Sequence, residues 1–161
     1  MSEAVLFLDV DGVLNHVETF MARKTDMLAV ECVACLDRLV EATGCKIVLS
    51  SAWRGMPGLE ARLRRRGVLK HRIKGEWRTP RLGRVQDGSG WVSAQRGDEI
   101  ADWLSRHPEV TAYAIVDDES DMRPEQMPFF VQTDFHKGGL LSEHVDRLTA
   151  ILAPSNPEPG Q

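Results

Sequence analysis

Residues 4–14, AVLFLDVDGVL, decide the fold. The run 4–8 is continuously apolar, which is typical of a strand buried on both faces of a parallel sheet. The run ends abruptly at Asp9 and Asp11, two carboxylates that repel each other unless a cation lies beside them. Gly12 follows, and a glycine lets the backbone approach a ligand closely and direct N–H groups at an anion. The stretch therefore predicts a buried strand that ends at a site for a cation and an anion.

Outward from this stretch, apolar patterns predict strands that alternate with helices. Further strands are predicted at 46–49, 112–116 and 129–131. Helices are predicted at 28–40 with Gly44 as the C-cap, at 58–66, at 98–107 and at 141–152. This alternation predicts one α/β domain with a mostly parallel sheet, spanning residues 1–153. Residues 68–95 show no clear period and are predicted to be irregular or short-stranded, and the Pro-rich tail, 154–161, to be disordered.

Polar residues follow three of the predicted strands: Asp9 and Asp11, Ser50 and Ser51, Asp117 and Asp118. Ligands of parallel α/β sheets bind beyond the carboxyl ends of the strands, so these residues are expected to converge on one rim. Grouped acids need a hard cation with oxygen ligands, and Mg²⁺ fits because it also bridges to substrate phosphate. The sequence therefore predicts a Mg²⁺ site at Asp9, Asp11, Asp117 and Asp118.

Length and composition exclude several classes of protein. The 161 residues, 42% of them hydrophobic, suit a single globular domain. No apolar run approaches the roughly 20 residues that cross a bilayer, and the N-terminus lacks the basic region of a signal peptide, so no membrane partner and a cytoplasmic location are expected. The cysteines, Cys32, Cys35 and Cys45, are odd in number, which argues against a disulfide framework. Cys32 and Cys35 lie in a helical pattern without a second ligand pair, so buried thiols are favoured over a zinc or redox site.

Positive charge is concentrated in residues 62–84, which we call the basic segment. The net charge is −4, yet this segment holds ten of the 20 Lys and Arg residues and one acid. A solvated helix face at 59–66 explains the arginines within it. The other cations lie in irregular chain beside Trp77, a pattern that suits a polyanion whose bases stack on an aromatic ring. Both interpretations stay open. The candidate substrate contacts in this segment are Lys74, Trp77, Arg78 and Arg81, and those outside it are Gly12, Ser51 and Arg54.

Four motifs resemble, in the same order, those of the haloacid dehalogenase (HAD) superfamily. DVDGVL at 9–14 is similar to its first motif, DxDG[TV], and IVLS at 47–50 to its second. Arg96, which opens a predicted helix, resembles the basic third motif, although Lys is commoner there, and IVDD at 115–118 resembles the acidic fourth. The resemblance covers residues 4–152. A small HAD group associated with RNA repair proteins is similar at LSSAWR (49–54), TP (79–80), RGDEIADWL (96–104) and VDDESD (116–121).

This resemblance implies a fold and a division of roles. The fold is a HAD-like Rossmannoid three-layer α/β sandwich with no large cap, in which residues 55–95 form a basic insertion or small lid. Asp9 would be the nucleophile that forms an aspartyl-phosphate, and Asp11 the general acid and base. Ser50 would hydrogen-bond the phosphoryl group, and Arg96 would neutralise its charge. The ligands of Mg²⁺ would be Asp9, the Asp11 carbonyl, Asp117 and Asp118.

Three functions are compatible with these residues. The favoured hypothesis is a phosphatase that removes terminal phosphate from a polynucleotide, RNA or DNA, or from a nucleotide, and that acts as a monomer or weak dimer. The second is a small-metabolite phosphatase whose arginines grip a doubly phosphorylated molecule. The third is a non-hydrolytic phosphoacceptor, similar to a response-regulator receiver, or a nucleic-acid-binding module. A preference for oligonucleotides over mononucleotides, with a steep dependence on salt, would favour the first over the second.

Overall fold

Strands and helices alternate along the described residues, 3–22 and 27–153, of the computed structural model. The strands are β1 (Glu3–Leu8), β2 (Lys46–Leu49), β3 (Arg84–Asp87), β4 (Gly90–Ser93), β5 (Val110–Asp117) and β6 (Phe130–Gln132). The helices are α1 (Val17–Met21), α2 (Val30–Thr43), α3 (Leu59–Arg65), α4 (Arg96–Ser105) and α5 (Ser142–Leu152). The predicted strands and helices are confirmed, with ends that shift by up to three residues, and no helix in these ranges is long and apolar enough to cross a membrane. The tail predicted to be disordered, 154–161, lies outside the described residues.

The central sheet is parallel and has the strand order β2-β1-β5-β6. Leu8, the last residue of β1, is paired with Leu49 of β2 on one side and with Val116 of β5 on the other. The backbone N–H of Asp9 donates to Val116 O at 3.2 Å, and that of Ser50 donates to Leu8 O at 2.8 Å. The three strands therefore end level with one another, and the polar residues that follow them meet on one rim.

Alternation of side chains along β1 builds two cores, one on each face of the sheet. Leu6 and Leu8 pack into the larger core, which α2, α3 and α5 cover. Phe7 packs into the smaller core, which α4 covers. There the Trp103 ring of α4 meets the Phe7 ring edge to face, with 5.3 Å between centroids. The sheet thus lies between two helical layers, which confirms the predicted HAD-like three-layer α/β sandwich.

Helix α2 ends as predicted and carries two of the cysteines. Gly44 has φ of 68°, a left-handed conformation that suits glycine, and its N–H donates to Val40 O at 2.8 Å. Cys32 and Cys35 are free thiols on this helix. Burial raises the pKa of Cys32 to about 11, and its Sγ donates to Gly138 O at 3.4 Å. These contacts support the interpretation of Cys32 as a packing residue, whereas Cys35 is only half-buried.

The predicted insertion, 55–95, contains α3, the β3–β4 hairpin and a stretch along the free edge of β2. The Ile73 N–H donates to Ile47 O at 3.0 Å, and the Thr79 N–H donates to Leu49 O at 3.0 Å. Part of the insertion therefore extends the edge of the central sheet. Because this pairing is with distant residues, the segment needs no apolar period of its own, which agrees with the irregular or short-stranded chain that was predicted.

Candidate active site

Three carboxylates meet at the carboxyl end of the sheet. Oxygen atoms of Asp9, Asp117 and Asp118 lie within 4.8 Å of one another. Asp9 and Asp117 are buried, and Asp118 is half-buried. The Asp11 carboxylate borders the same cavity, and its buried Oδ1 has no hydrogen-bond partner among the described residues. The structure thus groups three of the four acids predicted to hold a cation and places the Asp11 side chain beside them.

Burial governs the protonation of this group. It raises the pKa of Asp9 to about 7, although the Arg96 guanidinium opposes the shift. Burial, together with repulsion from Asp9, raises the pKa of Asp117 to about 9. The pKa of Asp11 is raised as well, mainly by burial and secondly by repulsion from the Asp118 carboxylate. Carboxylates so placed resist ionisation unless a cation compensates, and their oxygen atoms are the ligands that Mg²⁺ prefers, so the site fits a hard dication.

Arg96 brings a positive charge to these acids. It is the first residue of α4, and its Nε lies 3.5 Å from Asp117 Oδ2. Its backbone N–H donates to Asp121 Oδ2 at 3.0 Å, and its Nη1 lies 3.3 Å from Glu99 Oε1. The guanidinium is therefore held between two carboxylates. An arginine in place of the commoner lysine still reaches the acid group.

Glu99 was not predicted as a site residue. It is buried, and its Oε2 accepts from Arg54 Nη2 at 2.6 Å and from the Leu82 N–H at 3.2 Å. Its Oε1 faces Arg96. The sequence signal was its place three residues after Arg96 in a predicted helix, which is the spacing of a side-chain ion pair. Glu99 therefore links the arginine of the site to the insertion.

Arg54, predicted as a substrate contact, belongs to the same buried network. Its Nη1 donates to Ser51 O at 2.6 Å, and its Nη2 donates to Pro80 O at 3.3 Å as well as to Glu99. A buried guanidinium needs such partners because it has lost its water. The geometry thus favours a structural role for Arg54, joining the turn after β2 to the insertion, over the predicted contact with substrate.

The two serines after β2 differ in their surroundings. The Ser51 side chain lies close enough to the Asp9 carboxylate to lower its pKa, accepts from the Trp53 N–H at 3.1 Å and lines the cavity of about 130 Å³ that holds the acids. The Ser50 hydroxyl is buried and has no hydrogen-bond partner in the described parts of the chain. Ser51 is therefore in contact with the predicted nucleophile. Ser50 precedes it in the chain, and its hydroxyl is unpaired among the described residues. It is Ser50 to which the HAD resemblance assigns the hydrogen bond to the phosphoryl group.

Gly12 shapes the loop differently from the prediction. Its φ is 82°, and a Cβ added here would lie 2.3 Å from Asp118 Oδ2, so only glycine fits. Its N–H donates to Asn15 Oδ1 at 2.8 Å, and its carbonyl accepts from Thr133 Oγ1 at 2.7 Å. The N–H that was expected to face an anion is therefore engaged within the protein. Asn15 and Thr133 hold the loop, and neither was predicted as a site residue.

The predicted contacts from the insertion are not brought to the acid group. Lys74 is exposed, and Arg81 Nη2 donates at 2.8 Å to a backbone carbonyl in the turn after β2. Trp77 is half-buried, with the Arg78 guanidinium carbon 4.1 Å from its ring centroid. Arg78 also donates to Glu60 Oε2 at 3.2 Å. The Arg78 guanidinium thus covers the Trp77 ring, which was expected to stack with a base. Lys74, Trp77, Arg78 and Arg81 are all absent from the lining of the cavity that contains Asp9 and Asp117.

Comparison with known proteins identifies one family. Its model, described as the HAD domain in Swiss Army Knife RNA repair proteins, matches residues 5–145. No curated protein and no solved structure gives a significant match. The matched span includes Asp9, Asp11, Asp117 and Asp118, and it supports a hydrolase of the HAD superfamily. The chain belongs to the family of HAD domains in Swiss Army Knife RNA repair proteins.

Proposed function

We propose that the protein is a Mg²⁺-dependent phosphoric monoester hydrolase that removes a terminal phosphate from a polynucleotide or a nucleotide. The observation that carries this proposal is the meeting of Asp9, Asp117 and Asp118 with Arg96 at one end of the sheet. Family membership supports hydrolysis of the HAD type and a phosphorylated nucleic acid as the substrate.

The metal ligands in this proposal are the carboxylates of Asp9, Asp117 and Asp118, with the Asp11 carbonyl that the HAD motif supplies. Grouped acids, two of them buried, destabilise the fold unless a dication compensates their repulsion. When bound, Mg²⁺ neutralises negative charge on the phosphoryl group and on the carboxylate beside it.

Asp9 and Asp11 carry out the proposed chemistry in two steps. First, an Asp9 carboxylate oxygen attacks phosphorus, the bond from phosphorus to the leaving oxygen breaks, and that oxygen takes a proton from the Asp11 carboxyl. Second, the Asp11 carboxylate takes a proton from water, whose oxygen attacks the phosphorus of the aspartyl-phosphate. The bond from phosphorus to the Asp9 oxygen breaks, which releases inorganic phosphate and regenerates the Asp9 carboxylate. Arg96 and the hydroxyls of Ser50 and Ser51 donate to the phosphoryl oxygens and stabilise their charge.

A substrate screen with and without Mg²⁺ tests the proposal. The substrates are oligonucleotides phosphorylated at the 3′ or the 5′ end, free nucleotides and phosphorylated sugars. We expect Mg²⁺-dependent release of phosphate from the nucleic-acid substrates, with Asp9→Asn inactive. The matched control is Asp146→Asn, which changes an exposed carboxylate on α5 and should stay active.

Two other outcomes of this screen would replace the proposal. Activity on phosphorylated sugars alone would indicate a small-metabolite phosphatase. A protein that retains phosphate without turnover would instead be a receiver-like phosphoacceptor.

A further inference from the structure

Two cavities meet at the cluster of carboxylates formed by Asp9, Asp117 and Asp118. The smaller, about 130 Å³, contains Asp9 and Asp117. The larger, about 710 Å³, is lined by residues 132–137 and by the beginning of α5, and we call it the β6–α5 cavity. Asp11 and Asp118 line both cavities. The proposed general acid therefore lies at the junction of the two.

The two volumes suit different parts of a phosphate ester. Sites for small organic ligands measure about 300 to 1,000 Å³. The β6–α5 cavity, at about 710 Å³, falls within this range, whereas the smaller cavity, at about 130 Å³, does not. In an in-line displacement the leaving group lies opposite the nucleophile, and here Asp11 has to reach its oxygen. With the phosphoryl group beside Asp9, the leaving group extends past Asp11 into the β6–α5 cavity.

Charge in the β6–α5 cavity disfavours a second phosphate on the leaving group. Apart from the two acids at the junction, the carboxylates of Asp134 and Glu143 line it, and Lys137 contributes one positive charge. A further phosphate would be repelled by these carboxylates. Hydroxyl groups, in contrast, can donate hydrogen bonds to them. An uncharged leaving group with several hydroxyls fits this lining.

The cavity also offers an aromatic ring and a neutral donor. Phe135 is half-buried, and the His136 ring meets it edge to face with 5.2 Å between centroids. Nucleic-acid bases stack on aromatic side chains of this kind. His144 Nδ1 accepts from the Leu141 N–H at 2.9 Å, so the proton of the neutral ring lies on Nε2. Burial lowers the pKa of His144, which keeps this ring a neutral hydrogen-bond donor.

We propose that the β6–α5 cavity binds the nucleoside of a mononucleotide substrate as the uncharged leaving group. The base stacks at Phe135, and the ribose hydroxyls donate to Asp134 and Glu143. This inference rests on the proposed function, since attack by Asp9 defines which part of the substrate leaves. It moves recognition of the substrate from the basic segment to the loop between β6 and α5.

Phe135→Ala tests the proposal in the Mg²⁺-loaded, full-length protein. Acetyl phosphate is the substrate with a small leaving group, and adenosine 3′- and 5′-monophosphate carry the nucleoside. We expect kcat/KM for the nucleotides to fall about tenfold through loss of stacking, and that for acetyl phosphate to stay within about twofold. Trp91→Ala, which removes an exposed ring on β4, is the matched control and should leave both values unchanged. Equal losses on both substrates in Phe135→Ala, or a selective loss in Trp91→Ala, would overturn the proposal.

Binding of adenosine alone gives a readout that does not depend on turnover. Backbone amide chemical shifts are followed by NMR as adenosine is added to the wild type, to Phe135→Ala and to Glu143→Gln. We expect shifts centred on residues 132–144 and weaker binding by both variants. Glu143→Gln replaces an exposed carboxylate with an amide of the same shape, so it remains informative where Phe135→Ala does not fold.

The two experiments separate failure of the cavity from failure of the hydrolase. Hydrolysis of acetyl phosphate without adenosine-induced shifts at 132–144 would contradict the cavity assignment and leave the proposed function standing. Adenosine shifts at 132–144 without hydrolysis of any phosphate ester would support the cavity and contradict the proposed function.

Discussion

The acid rim, formed by Asp9, Asp117 and Asp118, and the basic segment are both clusters of like charge, but the fold treats them differently. The register of β1 and β5 fixes the acids side by side in spite of their repulsion. The cations of the basic segment instead spread along α3 and the following chain, where both Arg64 and Arg78 pair with Glu60. Where secondary structure forces side chains of like charge together, a charged cluster in the sequence indicates a site. Where the fold lets those side chains separate, the cluster indicates a solvated surface.

The largest expected effect that separates the two regions is on catalysis. Asp9→Asn should lower kcat by at least about a thousandfold, because it removes the nucleophile. Arg64→Ala, in the basic segment, should change kcat by less than about twofold. Arg64 pairs with the exposed Glu60 and does not line the cavity that contains Asp9 and Asp117. Phosphate release from a phosphorylated oligonucleotide measures both. Near-normal activity in Asp9→Asn would contradict the assignment of the acid rim.

The next largest expected difference between the two regions is in the free energy of unfolding. Glu99→Ala leaves Arg54 buried without its carboxylate, and we expect it to lower the free energy of unfolding by about 3 to 5 kcal/mol. Glu60→Ala removes an exposed partner of Arg64 and Arg78 and should cost less than about 1 kcal/mol. Urea unfolding of the two variants and the wild type gives both values. Equal losses would mean that the buried network is no more important than a surface pair.

Addition of Mg²⁺ should act on the acid rim alone. A ligand at about 100 times its Kd stabilises by about 2.7 kcal/mol, or roughly 5 to 10 °C in Tm for a chain of this size. We expect this rise for the wild type and for Asp87→Asn, which changes an exposed carboxylate on β3, and its loss in Asp117→Asn. Thermal unfolding with and without Mg²⁺ measures it. A rise that persists in Asp117→Asn would place the metal elsewhere.

The smallest expected effect is on the basic segment itself. Lys74→Ala removes at most one contact to a phosphate of a polynucleotide, so the slope of log kcat/KM against log salt should change by about one or less. Activity on a mononucleotide should not change, because Lys74 does not line the acid cavity. A loss on the mononucleotide as large as that on the oligonucleotide would bring the basic segment into the active site.

Local patterns were enough to predict the sheet and its acid rim. The strands β1 and β2 are short apolar runs that end in polar residues, and Gly44 marks the end of α2. Residues that follow parallel strands share one edge of the sheet, so the sequence alone was enough to place Asp9 and Asp117 together. These features depend on neighbours in sequence and on one topological rule.

Features that depend on distant contacts could not be predicted. Arg54 and Glu99 are 45 positions apart, and only the fold brings their side chains to 2.6 Å. The contact of Ser51, and not Ser50, with Asp9 depends on how the chain turns after β2. The β6–α5 cavity is built by a loop and a helix that carry no recognisable motif.

Intact-mass analysis of Asp11→Asn is the most direct test that Asp9 takes up the phosphoryl group. The variant is mixed briefly with Mg²⁺ and acetyl phosphate, whose leaving group needs no proton from the protein. Because an asparagine cannot take a proton from water, we expect one phosphoryl group to accumulate on the protein and peptide mapping to place it on Asp9. A phosphoryl group on another residue, or none at all while phosphate is still released, would contradict nucleophilic attack by Asp9.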